Sequence, residues 1–334
     1  MAAYISNLFH LTHSSIQLIN RLRYQKRFIS QSLACDLDAF QQSGAHPLDP
    51  KEMKKITHYY GLAVPAILGE AFGILLAKPM SRNERMALTY LGGATGLFDD
   101  FFDKHHLPKD YILDLLRQSR DLIVTNANEQ LFLNLYGKAL EHAANPDLVR
   151  TYSLKIFESE VLSEKQLNPE IDIHEIKRIT LEKGGVSLLF YRSGMDAAIS
   201  DEEKVLFFHL GGLLQLENDI FDIYKDHRDG IKTLATTATK IEPLRVTYTT
   251  LTDQVIRYVH ETAFSEKNKR QFIDIMLIII GRGFVCLDML ARNEKSSNNV
   301  FSIDSYSRKD LICDMEKPIN MLRTIHYFAT YNPA

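Results

Sequence analysis

Residues 96–106 read GLFDDFFDKHH: three aspartates, Asp99, Asp100 and Asp103, stand within five positions among Phe98, Phe101 and Phe102. On a helix Asp99 and Asp103 lie four apart and share one face. A solvated acidic face has no need of the rings, and a packed core does not hold acids without partners. The stretch therefore predicts a helix whose acids meet something cationic, with a metal ion as the first candidate. Taken alone, such a segment is more often a solvated helix face, so its reading turns on what the rest of the chain supplies.

The rest of the chain reads as helix. LDPKEMKKITHYYGLAVPAILGEAFGILLA (48–77) opens with Asp49 as a cap and Pro50 in the first turn. Ser81 to Glu84 and Ser200 to Glu203 are capping boxes, the first ahead of the aspartate cluster and the second ahead of KVLFFHLGGLLQLENDIFDIYKDH. Further helical segments start at Asn145–Pro146 and cover 243–264, 267–295 and 308–330. Alternating strand patterns bounded by tight turns are nearly absent, and no repeat of 20 to 50 residues occurs. Loops are expected at 43–49, 104–110, 166–172, 227–242 and 293–304. The fold class expected is all-α: one domain of roughly ten or more helices, with residues 1–45 as a helical extension packed on a body of residues 46–334.

Composition sets limits. Of 334 residues, 45% are hydrophobic, and 39 Lys and Arg against 42 Asp and Glu leave a net charge of −3, which argues against nucleic acid as a partner. Cys35, Cys286 and Cys313 are far apart, without metal-site spacing, and read as reduced buried thiols of a cytoplasmic protein. The longest apolar run, MLIIIGRGFVCLDML, is interrupted by Arg282 and Asp288, so no transmembrane segment is expected. A signal peptide is not expected either. Residues 1–35 contain no acid while Arg21, Arg23, Lys26 and Arg27 cluster, as in a transit peptide or a membrane-surface helix, although a helix packed on the body is the simpler reading.

A second acidic cluster, LENDIFDIYKDHRDGIKT (216–233), answers the first. Asn218, Asp222 and Asp226 recur at i, i+4 and i+8, with Lys225 beside them and Asp219 on the neighbouring face. Helical bundles build metal sites from side chains on facing helices. The donors are all hard oxygens, which suits Mg²⁺ or Mn²⁺ rather than zinc or copper. Mg²⁺ usually takes one or two carboxylates and completes its shell with water and substrate phosphates. No P-loop is present.

DDFFD resembles the first aspartate-rich motif, DDxxD, of class I isoprenoid synthases, and NDIFDIYKD resembles the second metal motif of class I terpene synthases, NDxxSxxKE. Asp222 replaces the Ser or Thr of that motif and Asp226 the Glu; both keep a metal-competent oxygen. The segment is also similar to the second DDxxD of trans-prenyl diphosphate synthases. The resemblance covers residues 50–290 and implies a helical bundle of the class I type with a central active-site cavity. It implies Mg²⁺, three ions, with Mn²⁺ as a substitute, held by Asp99, Asp100, Asp103, Asn218, Asp222 and Asp226. In ITLEKGGVSLLFYR it implies a helix broken at the Gly-Gly pair, carrying a cation that senses diphosphate; Lys183 is the best match, Arg178 and Arg192 weaker ones. Lys225, and Lys232 in RDGIKTL, join the diphosphate-binding set, and Asp99, Asp103 and Lys183 are the expected catalytic residues. Phe98, Phe102, Phe190, Tyr191 and Phe221 are candidates to line the cavity and face a carbocation, though for each the ordinary core is the commoner reading. A C-terminal Arg-Tyr pair has no convincing counterpart among Arg308, Tyr306 and Tyr327.

The activity implied is that of a terpene synthase, which ionises a linear C15–C25 prenyl diphosphate and cyclises or quenches the cation. The alternative within the family, elongation with isopentenyl diphosphate, needs a second basic site. DDFFDKHHLPKD lacks the Arg-Arg pair that elongating enzymes carry there, and the upstream helix lacks a Gly-Lys…Arg stretch. A His/Asp metal phosphohydrolase using His105 and His106 is a further alternative, but His209, ten residues before Asp219, does not converge on its face. An inactive helical scaffold is another. The family allows a homodimer.

Overall fold

The structure is a computed structural model that describes residues 2–42, 50–119, 122–124 and 126–330. Among the described residues all regular structure is helical and no strand occurs. No described helix is long and apolar enough to cross a membrane. The cap expected at Asp49 and the boundary at 45/46 lie outside the described residues; a helix starts at Pro50. The chain gathers into two compact units, one made of Ile16–Glu158 with Leu189–Ile199, the other of residues up to Ser15, Ser159–Leu188 and everything from Ser200 on. They are called here the N-terminal and C-terminal units.

In the N-terminal unit the helix Arg82–Asp103 is central. It starts at the expected capping box, where Ser81 Oγ accepts from Glu84 N at 3.2 Å and Glu84 Oε2 accepts from Ser81 N at 2.6 Å. Leu88, Leu91 and Phe101 are fully buried, and the helix packs against Ala127–His142 through Leu131, Phe132 and Leu135. The segment expected as one helix runs without a break from Pro50 to Leu75, its bonding widened to π stretches at Lys55–Tyr60 and Val64–Gly69. Pro65 lies in the second, where its missing N–H and its ring rule out a regular helical bond. Cys35 is exposed rather than buried, because the helix Leu33–Gln42 turns Leu33 and Leu37 inward instead.

In the C-terminal unit the helix Asp201–Phe221 begins at the second capping box and packs on Ile241–Glu261 and Glu266–Ser296; the last of these also carries Pro318–Thr330. Phe207, Leu210, Leu213 and Leu216 are buried on it, and the Phe207 ring meets Phe272 edge-on. Cys286 and Cys313 are buried here.

The helix break expected after Lys183 is absent. Ile173–Ser193 runs unbroken through Gly184 and Gly185. The glycines serve contact instead: a Cβ on Gly184 would stand 2.1 Å from the carbonyl oxygen of Gly211, and one on Gly185 would stand 2.4 Å from the Phe208 ring. The two helices therefore meet backbone to backbone. Gly184→Ala should lower stability by about 1–3 kcal/mol through overpacking. Gly137→Ala, whose new methyl would meet only the end of the Gln118 side chain at 3.3 Å, should be neutral or slightly stabilising. Urea denaturation of both variants checks the contrast, and equal midpoints would refute it.

Candidate active site

The close approach of Gly184 and Gly211 brings Thr180 and Lys183 of one helix beside Gln215 and Asp219 of the other. Asp219 is buried, and its carboxylate accepts from Gln215 Nε2 at 2.8 Å and from Thr180 Oγ1 at 3.2 Å. Lys183 Nζ donates to Glu160 at 2.8 Å and also acts on Asp219. The helix ends at Phe221. Asp222, at φ −90° and ψ 9°, leads into a short helix, Ile223–Arg228, which Gly230 terminates at φ +75°. Asp226 is buried on that short helix.

These carboxylates are poorly compensated. Burial pushes Asp226 up to about 7, and the charges of Asp219 and Asp222 add to the shift, while Lys225 and Lys183 oppose it. Burial likewise raises Asp219 to about 6 against Gln215, Lys183 and Thr180, with Asp222 adding to the rise. Asp222 is raised by burial against Lys225. Three acids thus share a partly desolvated space with too little positive charge.

The column expected at Asn218, Asp222 and Asp226 is accordingly displaced by one residue. Asn218 is exposed, and Asp219 is the acid that joins Asp222 and Asp226. Among the other expected diphosphate binders, Lys225 is exposed beside the cluster, and Lys232 is held by reciprocal bonds between its backbone and Gln166, at 2.8 and 2.9 Å. Arg178 is exposed and paired with Glu175 at 2.8 Å. Arg192, in the N-terminal unit, is fully buried and donates to the carbonyls of Ala197 and Ala198, both at 3.2 Å, which suits closing a helix end and not catching a ligand.

In the N-terminal unit the three aspartates of DDFFD have different surroundings. Asp100 is turned inward, where Lys55 Nζ lies 2.8 and 2.9 Å from its two oxygens and Lys104 Nζ 2.8 Å from Oδ2; Glu52 joins the group, 2.6 Å from Lys104. Burial alone would raise the Asp100 carboxyl, but hydrogen bonds with Glu52, Lys104 and Lys55 bring it below its ordinary value. Its cations are therefore lysines of the chain, and a metal would have to displace them. Asp99 is half-buried and accepts from the Tyr60 hydroxyl at 3.3 Å, while Asp103 is exposed. Phe98 packs on Phe101, Phe102 and Phe132, and Phe102 also meets Phe157. Phe190 and Tyr191 are buried, with the Tyr191 hydroxyl 2.8 Å from Thr95 Oγ1; in the C-terminal unit Phe221 lies under Arg282.

His105 contacts Asn128, and His209 bonds to the Val205 carbonyl and stacks on Tyr258. Arg308 lies over the Tyr224 ring, while Tyr327 donates to Asp288 at 2.7 Å beside Arg245. Sequence reasoning missed Glu217, which is buried against Arg282 at 2.8 Å and raised to about 7 by burial, with its second oxygen lacking a hydrogen-bond partner. Its position carried no signal in the sequence, because its partner Arg282 is 65 residues away and only the tertiary fold brings them together.

Among the described residues no three His, Cys, Asp or Glu side chains form a ready metal cage. No protein-family model, curated protein or solved structure matches this chain.

Two outcomes follow. Asp219 and Asp226 keep protons that an unfolded aspartate, at about 3.9, has lost. The folded state then binds more protons, so stability should fall as pH rises from about 4 to about 7 and level off above. Asp226→Asn should remove part of that slope and be the more stable protein at pH 8 by on the order of 1–3 kcal/mol, read from urea midpoints across the pH range. In the N-terminal unit, Asp100→Asn should cost roughly 1–3 kcal/mol because it leaves two lysines poorly matched, whereas Asp103→Asn should change stability by less than about 0.5 kcal/mol.

Proposed function

We propose that the protein is a Mg²⁺-dependent terpene synthase acting on a linear C15–C25 prenyl diphosphate. The observation that carries this reading is the cluster Asp219, Asp222 and Asp226: burial raises all three, and the charge of Asp222 adds to the rise of the other two. Such a cluster is costly to maintain for structure alone, and cations arriving with a ligand would lower that cost. The donor set, all hard oxygens, fits Mg²⁺. Asp219, Asp222 and Asp226 would hold the metal, whose charge would offset that of the substrate diphosphate.

The chain's own groups have definite tasks in this reading. Lys183 sits among the acids and would turn from Glu160 to a diphosphate oxygen. Exposed Lys225 and half-buried Lys232 would add donors to the leaving group. Heterolysis of the allylic C–O bond leaves its electron pair on the diphosphate oxygen, and each lysine there lowers the barrier by stabilising that developing charge. The carbocation left behind survives only where water is excluded, for which a pocket bordered by aromatic side chains is required.

Purified protein with Mg²⁺, given single prenyl diphosphates and analysed by gas chromatography–mass spectrometry, should yield a terpene hydrocarbon or alcohol without isopentenyl diphosphate. Asp226→Asn and Lys183→Gln should each lower kcat/KM by about 100-fold or more. Asn218→Ala should lower it by less than about fivefold, since Asn218 is exposed outside the cluster. Product formed only with isopentenyl diphosphate, or no turnover of any chain length, would overturn the proposal.

A further inference from the structure

None of the residues assigned to the candidate active site lies in the acid-free N-terminal stretch. Within the N-terminal unit the helix that ends at Gln31 buries Gln25, Phe28 and Ile29, and Gln25 Nε2 donates to the Gly61 carbonyl at 3.1 Å and to Thr89 at 2.9 Å. Arg21 turns toward the same body and lies 3.5 Å from Glu70. The opposite face is different. At 100° per residue, Ile16, Ile19, Arg23, Tyr24, Lys26 and Arg27 fall within an arc of about 160° centred opposite Gln25, and all six are exposed. Ile16 is 55% exposed, Ile19 47% and Tyr24 56%, which is unusual for three large apolar side chains so close together. The Arg85 guanidinium lies 4.7 Å from the centre of the Tyr24 ring and holds it in place. No acid occurs before Asp36.

We infer that this face docks on an anionic phospholipid surface. Aliphatic side chains and cations share one rigid face, with the aliphatics toward the N-terminal end and the cations one to two turns on. An interfacial helix uses that combination: the isoleucines and the tyrosine ring enter the acyl boundary while Arg23, Lys26 and Arg27 meet lipid phosphates. Nucleic acid suits it less well. Three cations neutralise few phosphates, and the isoleucines would stay in water. The inference does not depend on the proposed catalytic activity, and its test uses no prenyl diphosphate.

The test is flotation of the full-length protein with vesicles of phosphatidylcholine alone or with one third phosphatidylglycerol. Wild-type protein should float with the anionic vesicles at low salt, float poorly with the neutral ones, and be released by high salt. Each cation near such a surface contributes about 1 kcal/mol, so the triple variant Arg23→Gln, Lys26→Gln, Arg27→Gln should bind about 100-fold more weakly. Ile16→Ser with Ile19→Ser should weaken binding about tenfold or more on the same anionic vesicles. Absence of flotation at low salt, equal binding to both vesicle types, or a triple variant that floats like wild type would each overturn the inference. Capture of duplex DNA by wild type but not by the triple variant, without vesicle binding, would reassign the face to nucleic acid. The substituted side chains are exposed, and matched denaturation midpoints verify folding; if a variant unfolds, the neutral-versus-anionic comparison on wild type decides.

Discussion

A Cβ on Gly184 would stand 2.1 Å from the Gly211 carbonyl oxygen, and a Cβ on Gly211 would stand equally close to the Gly184 carbonyl oxygen. This reciprocal contact fixes the C-terminal unit. Two helices can approach at backbone distance only where neither presents a side chain, and here each presents a Gly-Gly pair. Gly212 meets Leu181 in the same way, and Gly185 meets the Phe208 ring. Once the pair is in place, Thr180 and Gln215 come within hydrogen-bond reach of Asp219. Lys183, one position before the contact, is brought near the same acid. The electrostatics of the candidate site are therefore a consequence of a steric fact elsewhere on the helices.

The chain treats its two acidic segments in opposite ways. Around Asp100 it supplies two lysine ammonium groups and a neighbouring glutamate, and the carboxyl falls below its ordinary value despite burial. Around Asp219, Asp222 and Asp226 the neighbouring lysines do not offset burial, Asp222 adds its charge against the other two, and all three rise. An ion pair that is complete within the protein contributes to holding the fold. Carboxyls desolvated without matching cations raise the energy of the folded state. The same residue type thus shifts in opposite directions in two helical settings. The difference lies in whether a lysine can reach.

Much of the helical fold was legible. Ser81 with Glu84 and Ser200 with Glu203 start helices where a capping box predicts them, because the box is a local device that depends on four consecutive residues. The region 48–77 was less legible, since Pro65 and the π turns around it respond to packing against Arg82–Asp103. The burial of Arg192 had no sequence signal, because carbonyls of Ala197 and Ala198 satisfy it and any residue type could have supplied them. The lysines that occupy Asp100 lie at both short and long separation. Lys104, four residues on, could have been noticed as a helical ion pair, whereas Lys55 required the tertiary fold.

The one-residue shift of the second cluster has a specific cause. Asn218, Asp222 and Asp226 spread over about 80° of a straight helix, and Asp219, Asp222 and Asp226 over about 60°. Periodicity alone does not choose between sets so alike, and the motif resemblance favoured the first. The choice is made upstream. The face of Asp201–Phe221 turned toward Ile173–Ser193 runs through Gly211, Gln215 and Asp219, at i, i+4 and i+8, so Asp219 is drawn inward and Asn218 is left in water. The end of the helix at Phe221 then turns the backbone at Asp222 and sets Asp226 on a second, short helix beside the first two acids. The readable clue was the pairing of KGG at 183–185 with LGG at 210–212. Two Gly-Gly steps inside strong helical patterns point to a close crossing rather than to a break, and the crossing selects the acid.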